Sequence, residues 1–155
     1  MNINLSESII DNCLLETDKF KHILIDKIGG KSKYIIEDRS NSKYFHVDIE
    51  NCVYKNLQND TKCDFGIKTE DTFYLIELKG SDVKKGIEQL LSTLIVFKNF
   101  YQNINFKARL VVSRFQSPDI VRKSKEYKDL VKLLKHIENK YDNLVIKQNI
   151  YTEVI

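Results

Sequence analysis

The chain has 155 residues, 42% of them hydrophobic and 30% charged, with five glycines and one proline. That composition is too apolar for a disordered segment and is sized for one domain, residues 1–155, around one core. A net charge of +3 is no argument by itself for nucleic-acid binding, and no run approaches the ~18 apolar residues that a membrane span needs.

The amino terminus lacks a charged region followed by an apolar run, so a cytoplasmic protein is expected. Cys13, Cys52 and Cys63 have neither metal-type nor redox-type spacing, and their odd number argues against a disulfide framework. They read as small buried residues of a reducing compartment.

Ser8 and Asp11 look like a capping pair, and Ile9, Cys13, Phe20 and Leu24 continue at helical spacing. This predicts a first helix from about Ser6 up to Gly29-Gly30. Tyr34 to Ile36 and Tyr44 to Ile49 are aromatic and β-branched, and the polar residues between them suggest a hairpin or irregular strands. Cys52 to Tyr54 could extend the second of these.

Cys63 to Ile67 and Phe73 to Gly80 then read as two strands joined by a charged turn. Val83, Ile87, Leu90, Leu94 and Phe97 mark an amphipathic helix with Ser81 as its N-cap. Lys107 to Phe115 holds a short apolar run typical of a strand covered on both faces. Ser117-Pro118-Asp119 opens another helix, with Tyr127, Leu130, Leu134, Ile137 and Tyr141 as its buried stripe, and Leu144 to Ile150 closes the chain as a strand. The expected class is α/β, a mixed central sheet with helices on its faces.

The chemistry lies in the central hairpin. Alternation along the second strand puts Glu77 and Lys79 on one face and Leu78 on the other, and charges on so apolar a strand are costly unless paired or bound to an ion. Asp64 adds a second carboxylate from the neighbouring strand. Such oxygen ligands, with the Leu78 carbonyl, suit Mg²⁺ or Mn²⁺. An acid-x-Lys triplet alone says little, because four others occur, at Asp60, Asp82, Glu126 and Glu138.

With Asp64, the short turn and Glu77-Leu78-Lys79, the segment resembles the PD-(D/E)XK nuclease superfamily, as does the order of elements over roughly residues 8 to 115. Cys63 stands where the motif name has proline. The resemblance implies an α-β-β-β-α-β core, followed here by a helix and a strand, and hydrolysis of a phosphodiester. Asp64 and Glu77 would bind Mg²⁺, and Lys79 would assist in forming hydroxide from water.

It also implies an extra acid on the first helix, a role Glu16 could fill at the border of the apolar stripe, where solvated glutamates also sit. Asp48 and Glu50 could serve instead. Gln89 matches the glutamine-bearing helix of the RecB-like and Cas4-like branches, but Thr93 stands where those branches carry tyrosine, and a solvent-facing glutamine is the plain alternative.

Lys84 and Lys85 begin the helix beside the proposed site and could meet a phosphate backbone. Lys125, Lys128, Lys132 and Lys135, interspersed with acids, read as a solvated face. His22, His46 and His136 share no ligand or triad spacing, and no nucleophile elbow or phosphate-cradling glycine loop occurs. The expected function is a Mg²⁺-dependent endonuclease, acting on DNA rather than RNA and working as a homodimer to cut two strands. The competing expectation is an inactive protein on the same fold that binds nucleic acid or a protein.

Overall fold

The computed structural model describes residues 5–115, 118–134 and 142–155. Among the described residues nine strands form two sheets. The larger has the order β1 (Leu15–Thr17), β4 (Tyr44–Asp48), β5 (Phe65–Lys68), β6 (Thr72–Lys79), β7 (Asn105–Val112) and β8 (Leu144–Gln148). Its first three pairings are antiparallel and its last two parallel. The smaller sheet has β2 (Lys21–Ile25) antiparallel to β3 (Lys33–Glu37), and β3 parallel to β9 (Ile150–Val154).

The architecture is therefore mixed α/β, as the sequence predicts, but with an unforeseen third layer. Alternate residues of β6 serve two cores. Phe73 and Leu75 face α2 (Val83–Phe97) and α4 (Lys125–Leu134), together with Leu90, Leu94 and Leu130. Tyr74, Ile76 and Leu78 face the small sheet, packing with Leu24, Tyr34 and Ile36. Burial on both faces explains why β6 reads as a continuous apolar run.

The long first helix is not formed. Helix α1 spans Glu7–Asn12, capped by the Ser6 hydroxyl, which accepts the Ile9 amide at 3.3 Å. Beyond it the helical spacing of Phe20 and Leu24 is coincidental. His22 to Ile25 alternates as a strand, burying Leu24 between exposed Ile23 and Ile25, and Phe20 is 60% exposed.

The supposed hairpin of residues 34–49 is split, with β3 and β4 in different sheets. Cys52 to Tyr54 do not extend β4. Ile49–Val53 is a π-helical turn, started by Asp48, whose carboxylate accepts the Asn51 amide at 3.0 Å.

Cys13 and Cys52 form a disulfide, correcting the expectation of three free thiols; Cys63 is free and buried. Two half-cystines 39 residues apart have no recognisable motif; Cys13 precedes β1 and Cys52 follows β4, and the pairing of these two strands brings them together. Asp82 replaces Ser81 as the cap of α2, its carboxylate accepting the Lys85 amide at 3.0 Å.

The helix opened by Pro118 breaks at Ser124 into α3 (Pro118–Lys123) and α4. Ser117, Lys135, His136, Ile137 and Tyr141 lie outside the described residues. The final apolar stretch is two strands, because Asn149 turns the chain at φ 67° from the large sheet into the small one. Among the described residues no helix is long and apolar enough to cross a membrane.

Candidate active site

Asp64 is the residue before β5, and Glu77 lies near the end of β6. Hairpin pairing of Phe65 with Ile76 places them beside each other. The two are tied crosswise. Oε2 of Glu77 accepts the Asp64 amide at 2.9 Å, and Oδ2 of Asp64 accepts the Leu78 amide at 3.0 Å. Lys79 lies on the same face as Glu77, with its ammonium 3.6 Å from Oε1.

Within a strand the N–H and C=O of one residue point to the same neighbour, so the Leu78 carbonyl also faces the Asp64 side. Asp64, Glu77 and that carbonyl are the oxygen donors the hairpin offers to a cation. Among the described residues no group of three acid, histidine or cysteine side chains is arranged to hold a metal ion.

Glu77 is 1% exposed. Burial, then the neighbouring Asp64 charge, push its carboxyl well above the usual range, against the pull of Lys79. Burial pushes Asp64 up to about 6, opposed by its bond from the Leu78 amide and reinforced by Glu50.

Two elements hold the approach to Asp64. From α2, Thr93 Oγ1 accepts the Cys63 amide at 2.8 Å, and Gln89 Nε2 donates to the Lys62 carbonyl at 3.0 Å. Gln89 therefore belongs to the support of the site, and its buried Oε1 has no hydrogen-bond partner among the described residues. The tyrosine position of the RecB-like pattern is Thr93, which here braces the residue before Asp64.

From the other side, the π-helical turn sends the Ile49 and Glu50 amides to the Asp64 carbonyl, at 3.0 and 3.3 Å. Glu50 and Asp48 flank the site, and the Lys27 ammonium lies 2.7 Å from Asp48 and 3.4 Å from Glu50. Lys27 also sits 4.4 Å above the Phe65 ring. Although burial opposes it, Asp48 is held below its usual range by Lys27 and the Asn51 amide.

Glu16 is separated from this group. It lies on β1 and not on a helix, 51% exposed and paired with Lys43 at 3.2 Å. Register runs from Glu16 through Phe45 and Lys68 to Phe73, four residues from Glu77, or about 13 Å along the strand. Lys84 and Lys85 are exposed on the first turn of α2, Lys85 within 3.8 Å of Glu88.

No family model, curated protein or solved structure matches the chain.

Sequence reasoning missed Lys27 and Ser32. Ser32 is fully buried and its hydroxyl donates to the Lys79 carbonyl at 2.8 Å. Both reach the site through the small sheet, and nothing in their local sequence signals it.

Proposed function

We propose that this protein is a Mg²⁺-dependent nuclease, with Mn²⁺ as a substitute ion and DNA as the favoured substrate, specificity being set by DNA structure or by a partner. The observation that carries the reading is the pairing of a buried carboxylate, Glu77, and a half-buried one, Asp64, against one ammonium, Lys79. A structural ion pair needs one acid. A second acid beside the buried one adds repulsion and desolvation that a bound proton or a further cation relieves.

The donor set supports a hard cation. Mg²⁺ is commonly held by one or two carboxylates, with waters and substrate phosphate completing its shell, so no third acid is required. The orphaned Oε1 of Gln89 adds an unused acceptor beside the same segment. Mg²⁺ bound by Asp64, Glu77 and the Leu78 carbonyl would supply Lewis acidity and a more acidic water.

The chain's own groups do the rest. Backbone amides of Leu78 and Asp64 each fix one carboxylate oxygen and so orient the pair. Lys79, a quarter exposed at the strand end, offers a charge to a phosphate oxygen or to the attacking water. The site also lies at the carboxyl end of the parallel strands β6, β7 and β8, where ligands of open α/β sheets bind. A homodimer would supply two such sites, one for each strand of a duplex.

One observation favours a second reading. Glu77 is already satisfied by an amide and Lys79, and among the described residues no group of three acid, histidine or cysteine side chains is arranged to hold a metal ion, as in a nuclease fold that binds without cutting. Cleavage of linear, single-stranded, branched and RNA substrates in Mg²⁺ or Mn²⁺ separates the two. The nuclease loses cleavage in Asp64→Asn and Glu77→Gln and slows by about a hundredfold or more in Lys79→Ala. Cleavage that survives these changes overturns the mechanism, and binding without cleavage, indifferent to all three, selects the inactive protein.

A further inference from the structure

Segments of both sheets converge on the end of β6. The Ser32 hydroxyl reaches the Lys79 carbonyl at 2.8 Å, the Ser113 amide reaches the carbonyls of Lys79 and Gly80, and the Arg114 amide reaches Gly80 at 3.0 Å. Asn149 links the sheets nearby, donating its amide to Val112 and accepting that of Lys33.

Each anchor leaves a cation in solvent. Lys31, next to Ser32, and Arg114 are exposed, as are Lys84 and Lys85 a few residues beyond Gly80. Among the described residues Lys31, Lys84 and Arg114 form no ion pair. The acids of these segments are turned to their own backbone. Asp26 accepts the Ile28 amide at 2.9 Å and Asp82 accepts that of Lys85.

The turn between β2 and β3 passes through Gly29 at φ 83°, a conformation that favours glycine. Its tip carries Ile28, 95% exposed, between Lys27 and Lys31. Lys27 is committed to Asp48 and Glu50, so Ile28 and Lys31 are the groups this turn presents outward.

Charge is thus sorted by position, with Asp48, Glu50, Asp64 and Glu77 at the centre and the exposed cations Lys31, Lys84, Lys85 and Arg114 beyond them, Lys85 being paired with Glu88. A polyanion is the ligand such a layout fits, held by phosphates on the rim while one linkage lies over the acids. We propose that Lys31, Arg114, Lys84 and Lys85 form the ridge on which a nucleic-acid duplex lies as it enters the site. Ile28 then rests against sugar and base edges in its minor groove. This inference rests on the nuclease reading.

The test uses the full chain carrying Glu77→Gln, titrated into a labelled duplex of about 30 base pairs at about 50 to 200 mM salt, with cleavage by the unmodified protein measured in parallel. Lys31→Ala and Arg114→Ala should each weaken binding about three- to tenfold and reduce the salt slope by about one. Ile28→Ala should weaken binding with the slope unchanged. All three positions are exposed, and circular dichroism verifies that the variants fold. If the parent binds and the unmodified protein cleaves while these variants match their parents in affinity and slope, the ridge is wrong and the nuclease reading stands. If the parent binds no duplex and the unmodified protein cleaves none, both fall.

Discussion

The amide of Asp64 donates to the carboxylate of Glu77 at 2.9 Å, while the carboxylate of Asp64 accepts the amide one residue beyond Glu77 at 3.0 Å. This reciprocal tie makes the geometry of the two acids a property of the hairpin backbone. It also holds a buried carboxylate against a half-buried one, so where both are ionised the site opposes the stability of the metal-free protein.

That opposition has a pH signature. Asp64 ordinarily titrates at 3.8 and is pushed up to about 6, so between these values the native state holds a proton the unfolded chain has released. Stability in chelator should therefore fall as pH rises through that window, by about 3 kcal/mol from Asp64, with the raised Glu77 extending the fall to higher pH. Asp64→Asn should be about 1–3 kcal/mol more stable than the unmodified protein at pH 7 in chelator. Urea titrations of both proteins across pH measure the difference, and equal profiles would refute it.

Arg109 is buried between the sheets, its guanidinium on Glu153 of β9 and on the carbonyls of Ala108 and Asp142, while Tyr34 donates to the same carboxylate at 2.8 Å. Arg109→Met should cost about 3–5 kcal/mol, because Glu153 is left buried and unpaired. Adding Glu153→Leu should recover part of the loss. A double-mutant cycle in urea checks the coupling.

Reduction of Cys13–Cys52, or Cys52→Ser, should cost about 2–4 kcal/mol for a loop of this length. The effect should reach the site, since Cys52 belongs to the π-helical turn whose first amides hold the Asp64 carbonyl. Faster hydrogen exchange at residues 49–54 and a lower melting temperature are the expected readouts.

Gly66 follows Asp64 by two residues, and a Cβ there would meet Phe73 Cε1 at 2.7 Å and Val47 Cγ1 at 2.8 Å. Gly66→Ala should destabilise by about 1–3 kcal/mol, where relief from glycine's entropy would favour alanine in an open strand. Chemical denaturation decides the sign.

Local pattern in the chain is enough for the near-neighbour part of this protein. The hairpin of β5 and β6, the helix after Gly80 and the strand at Ala108 are each marked by periodicity over a few residues, and Asp64, Glu77, Leu78 and Lys79 meet because pairing across one short turn leaves no other register. Gln89 is singled out in the sequence only through the resemblance, with a solvent-facing side chain as the plain alternative, and its bond to the Lys62 carbonyl is set by the fold. The rest was decided by tertiary structure. Helical and strand periods coincide over too few residues between Cys13 and Leu24 to be told apart, so Glu16 was placed on the wrong element. The small sheet pairs β3 with β9, more than a hundred residues away in the chain. Lys27 and Ser32 reach their places through that sheet and the Cys13–Cys52 bridge through the pairing of β1 with β4, and no local pattern of side chains encodes which strands will meet.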